Sequence, residues 1–131
     1  MIVVDASVLA NAIGDDGPAG ARARAVLVGQ SLSIPDLADV EVASVLRRRW
    51  LRKDLTARRF REAIHDLAAV PADRYPASPF MPRAYELRAN VTAYDATYVA
   101  LAEELRCSLY TADGRLATVP GIRCAVSLLG K

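Results

Sequence analysis

Histidine and cysteine are almost missing from this chain of 131 residues: His65, Cys107 and Cys124 are the whole supply. Mechanisms that pair a serine or cysteine with a histidine need that histidine beside the nucleophile. His65 instead sits in REAIHDL, a helical stretch of mixed charge, and reads as a surface residue. No Cys and His spacing resembles a zinc site. The two cysteines fall in late strand-like segments, where free buried thiols of a reducing compartment are expected rather than a disulfide. Long apolar runs are absent too; none approaches the roughly 18 residues that span a bilayer. The opening MIVVD lacks a basic stretch and reaches an acid at once, unlike a secretory signal. The expectation is a soluble, cytoplasmic protein. Net charge is small, +2 from 17 basic and 15 acidic residues, so no overall polyelectrolyte character marks a nucleic-acid binder. Repeats, low-complexity tracts and a domain linker are also missing, and the length fits one domain, residues 1–131.

What is present is a hydrophobic fraction of 53%, enough for a real core. Basic residues are concentrated locally. Residues 47–61 (RRRWLRKDLTARRFR) hold close to half of them and a single acid. Such a stretch is either the solvated side of two helices or a surface that attracts polyanions.

Apolar runs and turn signals alternate along the chain. MIVV and LSIP read as short buried strands, the second stopped by Pro35. ASVLANAIG is a short helix ended by Gly14, and Pro18 opens another through AGARARAVLV. Asp36 is placed to cap a helix over about 37–53, with Val42, Ala43, Leu46 and Trp50 as its apolar stripe. Thr56 caps the next, to about Ala69, with Phe60, Ile64, Leu67 and Ala68 inward. VPADRYPASP has room only for an edge strand. A helix is expected around Arg83–Ala89, and another from Tyr94 to Leu105 with Tyr94, Tyr98, Leu101 and Leu105 as core. CSLYTAD is a strand ending in Asp113, GRLATV a short helix, and GIRCAVSL the last strand. Strands alternating with helices imply an α/β fold, a parallel sheet covered on both faces.

Four carboxylates stand out, each with an ordinary explanation. Ligands of open parallel sheets bind beyond the carboxyl ends of the strands. Asp5 after MIVV and Asp113 after SLYTA fall there, where each also suits a helix cap. Glu41 lies inside its helix, beyond the capping position. At about 100° per residue it shares a face with Ser44 and Arg48, while Asp36 and Asp39 point elsewhere. Its ordinary role is an ion pair with Arg48 or Arg49. Asp95 fits a capping box with Thr92 on the first turn of its helix. Together, such carboxylates converging on one cleft would repel one another without a cation. An oxygen-only set suits Mg²⁺ or Mn²⁺, and phosphodiester hydrolysis is the chemistry such a set serves best.

On VVDASVLANAI, PDLADVEVASVLRR, LRANVTAYDATYVALAEEL and LYTADGRLA, taken in this order and spacing, the chain resembles the PIN-domain family, and within it the VapC-type toxins of toxin–antitoxin systems. The resemblance implies a PIN-like α/β/α sandwich around a parallel sheet of four to five strands. It implies a Mg²⁺- or Mn²⁺-dependent endoribonuclease with Asp5, Glu41, Asp95 and Asp113 as the acidic quartet. Asp5, Asp95 and Asp113 would reach the metal, and Glu41 would orient or deprotonate water. Ser7 and Thr111 match supporting positions, with Asn11 and Asn90 as weaker candidates. Arg48, Arg83, Arg88 and Arg115 are candidates for RNA contacts. A VapB-like antitoxin, a homodimer, and a heterotetramer or larger assembly are the implied partners. Many relatives carry a further acid after the last Asp; Gly114, Arg115, Leu116 and Ala117 stand there here, which leaves one firm metal site expected. Two other readings remain: a non-catalytic PIN-fold module binding RNA or protein, and a phosphoacceptor domain. The latter wants a lysine after the last strand, and neither Lys53 nor Lys131 falls there.

Overall fold

The computed structural model describes residues 1–129. Five strands, β1 (Ile2–Val4), β2 (Leu32–Pro35), β3 (Ala72–Tyr75), β4 (Leu109–Thr111) and β5 (Val126–Leu128), form one sheet. Six helices surround it: α1 (Ala6–Gly14), α2 (Pro18–Leu27), α3 (Leu37–Leu51), α4 (Ala57–Ala69), α5 (Met81–Glu86) and α6 (Ala93–Leu105). Short 3₁₀ turns cover Ser78–Phe80 and Leu116–Thr118. The strand order is β3-β2-β1-β4-β5, and every pairing is parallel. This is the expected α/β/α architecture.

β1 is central and buried throughout, as a strand covered on both faces must be. Successive strands leave β1 in one direction for β2 and β3, then the chain crosses to β4 and β5 on the other side. The order therefore reverses between β1 and β4, which opens a crevice at their carboxyl ends. α1 and α3 begin directly after β1 and β2. α6 feeds β4 and runs antiparallel to it, so its first turn lies at the same edge. α6 is the innermost helix: Ala96 through Ala102 are all buried.

Most sequence signals act as expected. Asp5 and Thr56 cap α1 and α4 through Val8 N–H and Arg59 N–H. Pro18 opens α2. At Gly20 a Cβ would meet the Asp15 carbonyl oxygen at 1.8 Å, so only glycine lets α2 approach the end of α1 this closely. Asp36 does not cap α3. Its own backbone is already helical, and its carboxylate accepts the Ala77 N–H instead. α3 stops at Leu51, two residues early, because Lys53 turns left-handed at φ 65°. α4 buries Phe60 partly and Ala63 and Leu67 fully, leaving Ile64 and Ala68 exposed. α5 starts earlier than expected, with Pro82 in its first turn. Tyr94 is exposed while Tyr98 and Leu101 are core. Cys107 and Cys124 are free and half-buried, just before β4 and β5 rather than on them. They line one cavity, and burial pushes the Cys124 thiol up to about 11. His65 is exposed. Among the described residues no helix is long and apolar enough to cross a membrane.

Candidate active site

The register between β1 and β4 sets the centre of the site. Val4 pairs with Tyr110, which leaves Asp5 level with Thr111. The Thr111 hydroxyl donates to Oδ2 of Asp5, and the Ser7 hydroxyl and Val8 N–H donate to Oδ1. Each hydroxyl also accepts a backbone N–H from the turn after β4: Ala112 to Ser7 at 3.1 Å, Asp113 to Thr111 at 2.9 Å. Asp5, 6% exposed, is thus stitched to the loop that carries Asp113. Asp5 still caps α1, so the ordinary role and the site role coincide in one side chain.

Glu41, in the second turn of α3, makes no ion pair. Its Oε1 accepts the Tyr98 hydroxyl at 2.7 Å. Arg49, one ordinary partner considered for it, is turned away to Asn11 Oδ1 at 2.7 Å and the Ala10 carbonyl. Arg48 stands at the rim of the same cleft. Asp95 donates its N–H to Thr92 Oγ1 at 3.2 Å, one half of the expected capping box, and among the described residues its carboxylate accepts no hydrogen bond. Asp113 is held by Arg115, whose Nε and Nη2 reach its two oxygens at 3.2 and 2.9 Å.

Asp5, Ser7, Glu41, Arg48, Asp95, Tyr98, Asp113 and Arg115 line one open cleft of about 320 Å³. Larger cavities exist, of about 780 Å³ between α1, α3 and α4 and about 770 Å³ beside the cysteines. The first balances Asp15, Asp16, Asp54 and Glu62 against Arg49, Arg52, Arg58 and Arg59. Charge rather than size sets the smaller cleft apart, because its acids outnumber its bases.

The electrostatics reflect that excess. Burial pushes Asp5 above the usual carboxylate range, against the lowering effect of its hydrogen bonds. Burial also raises Glu41, and the charges of Asp95 and Asp5 add to the rise. Asp95 is raised by burial and by Asp5 and Asp113. Only Asp113 is lowered, by the Arg115 guanidinium. Burial is thus the first cause of all three rises, and like charge adds to it at Glu41 and Asp95.

A hard divalent cation fits this donor set by chemistry: oxygen only, partly buried and repulsive. The side chains do not form a closed cage. Among the described residues no group of three Asp, Glu, His or Cys side chains is positioned to ligate one ion. Asp5 and Asp113 are engaged by hydroxyls and a guanidinium, and Asp95 alone is unengaged. A cation that keeps several waters and takes one or two carboxylates, as Mg²⁺ does, matches such an open arrangement.

A PIN domain profile matches residues 2–122. The chain belongs to the PIN-domain family. Ribonuclease VapC9 of Mycobacterium tuberculosis is 42% identical over 129 residues, 98% of each chain, and the present protein is of this VapC type. The fold of M. tuberculosis VapC20, described as a sarcin-ricin loop cleaving toxin, matches with a TM-score of 0.72 at 16% identity, covering 92% of this chain and 95% of that one. A toxin–antitoxin complex from Klebsiella pneumoniae matches at 0.70 and 18% identity, covering 100% and 99%.

Within this PIN domain the expected supporting residues divide. Ser7 and Thr111 touch Asp5 directly. Asn90 lies beside the cleft with Asp95 and Asp113. Asn11 serves Arg49 on the far side of α1. The arginines divide as well. Arg48 and Arg115 belong to the cleft. Arg83 does not: it is committed to Glu103 at 2.8 and 3.0 Å, to Glu86 and to the Gly121 carbonyl. Arg88 stacks 3.9 Å over the Tyr85 ring, outside the residues that line the cleft. Tyr98 is the site residue that hydrophobic periodicity hides. Its spacing marks it as core, which it is, and its hydroxyl reaches the site all the same.

Proposed function

We infer that this PIN domain is a Mg²⁺- or Mn²⁺-dependent endoribonuclease, the toxin of a toxin–antitoxin pair. The observation that carries this is the cleft at the switch between β1 and β4, where four carboxylates gather; burial raises three of them, and for Glu41 and Asp95 the neighbouring acids add to the rise. Relatives named ribonucleases at 42% identity support the substrate class. Asp5, Asp95 and Asp113 would hold the cation. When bound, it supplies a more acidic water and neutralises charge on the phosphoryl oxygens. The chain's own groups do the rest. Ser7 and Thr111 hold Asp5 in place, Glu41 takes the proton of the attacking water on its free carboxylate oxygen, and Arg48 meets a backbone phosphate at the rim. Arg115 leaves Asp113 for the same purpose. The substrate is single-stranded or looped RNA, whose splayed bases suit an open cleft. The products carry a 5′-phosphate and a 3′-hydroxyl.

A VapB-like antitoxin is the proposed partner, in line with the toxin–antitoxin complex of the same fold. The Arg115–Asp113 pair illustrates how a basic side chain quiets these acids. Homodimerisation, and a heterotetramer or larger assembly with antitoxin, would use exposed apolar residues such as Val40, Trp50 and Leu51.

One observation favours a second reading, a non-catalytic module binding RNA or protein: Arg115 occupies both oxygens of Asp113. Mapping RNA 5′ ends after brief expression separates the two. New 5′ ends with wild type and none with Asp5→Asn support the nuclease. Identical maps for both, with the protein folded, support the module.

A further inference from the structure

Tyr98 is 1% exposed and sits one turn beyond Asp95 on α6. Its hydroxyl crosses to α3 and donates to Oε1 of Glu41. We propose that Tyr98 is the positioning residue of the nuclease: it fixes the Glu41 carboxylate and leaves only Oε2 to receive the water proton. This rests on the nuclease reading and assigns a role within it.

The argument is geometric. Glutamate has a long side chain, and burying it with one defined orientation loses rotamer freedom. Among the described residues no cation pairs with Glu41: Arg49 is bound to Asn11, and Arg48 contributes attraction without an ion pair. The tyrosine ring is locked in the core, so its hydroxyl is a rigid donor. Asp95 and Tyr98 are three residues apart on one helix and share a face. α6 therefore sets the position of a proposed metal carboxylate and of the water-orienting carboxylate together. A shift of about 1 Å in such a group costs on the order of 100-fold in rate.

The test is Tyr98→Phe, which keeps the ring and removes the donor. RNA cleavage by the purified variant with Mn²⁺ should lose about tenfold or more in kcat, part of the roughly 10²–10⁴-fold that a positioned general base supplies, with KM unchanged. In a Glu41→Ala background, assayed at raised enzyme concentration, the same change should alter kcat less than about twofold, because its route of action is gone. A structural role would instead lower the melting temperature and act equally in both backgrounds. A second readout needs no cleavage. The ¹³C carboxyl signal of Glu41 in the metal-free protein should titrate at higher pH in Tyr98→Phe, since a hydrogen bond to the charged form is lost. If the variant melts well below wild type, 3-fluorotyrosine at 98 keeps the ring and strengthens the donor, and the Glu41 titration should move down. Unchanged kcat with an unmoved Glu41 signal overturns the proposal. If wild type cleaves no RNA, the nuclease reading fails, and the carboxyl titration alone decides whether Tyr98 positions Glu41.

Discussion

Asp95 donates its own N–H to Thr92, yet among the described residues its carboxylate accepts no hydrogen bond and lies half-buried among like charges. That residue states the cost of the site. Its folded-state pKa is raised, so the native protein binds protons more tightly than the unfolded chain. Stability linked to it is fully present below the unfolded value and is lost as pH rises through the folded one. Asp95→Asn should therefore raise the melting temperature of the metal-free protein by a few degrees at pH 7.5, with the gain shrinking toward pH 4; thermal melts at both pH values check this. Asp5 differs, because its oxygens are all engaged. Thr111→Val removes one buried donor, and should cost about 1–3 kcal/mol in denaturant unfolding while further raising the Asp5 titration. The four acids were legible in the sequence because Asp5 and Asp113 end strands, Asp95 falls on a first turn, and Glu41 lies inside its helix beyond any capping position. Tyr98 was not, because core packing and donation to Glu41 call for the same periodicity. The pairing of Arg115 with Asp113 was equally hidden, since a two-residue separation says nothing of side-chain direction.

At the scale of elements, caps and breakers located most boundaries: Asp5, Gly14, Pro18, Pro35, Thr56 and Thr92 act where the sequence puts them. The failures have local causes. Asp36 does not cap because its own backbone is already helical, and its carboxylate accepts the Ala77 N–H. In α4 Phe60 and Leu67 turn inward as expected, but Ala63 takes the buried position between them and Ile64 and Ala68 face out. Arg83 was placed with RNA because the sequence around an arginine carries no label of its partner. In the fold it joins α5, α6 and the turn at Gly121, with Glu103 also accepting the Arg123 N–H at 2.8 Å. Burial raises Glu103, but Arg83 and that N–H outweigh it and hold the carboxyl below its ordinary range. Its contribution to stability is present above the unfolded pKa and is lost as pH falls. Both side chains are mostly shielded, at 16% and 14% exposure. Arg83→Ala should cost about 2–4 kcal/mol in denaturant unfolding, since it strands Glu103, and cleavage per folded molecule should hold. A loss of cleavage without a loss of stability would return Arg83 to the RNA path.

Across the whole molecule, the parallel sheet and its reversal between β1 and β4 bring residues 5, 41, 95 and 113 to one edge. Alternation of strands and helices made that edge legible; the strand order, which places β4 rather than β5 beside β1, came only from the fold. The basic stretch 47–61 resolves into mixed roles. Arg59 is fixed to Asp16 and the Ile13 carbonyl, Arg49 to Asn11, and Arg48 faces the acids. Mg²⁺ or Mn²⁺ at 100 times its dissociation constant should stabilise the native protein by about 2.7 kcal/mol, roughly 10 °C in melting temperature, and Asp5→Asn should abolish most of that shift. The most direct measurement is cleavage of a single-stranded RNA by the purified, metal-stripped protein as Mn²⁺ is added. The proposed site requires no cleavage in excess EDTA, cleavage that rises and saturates with Mn²⁺, and none from Asp5→Asn at any concentration. Undiminished cleavage in EDTA, or an Asp5→Asn variant as active as wild type, would contradict it.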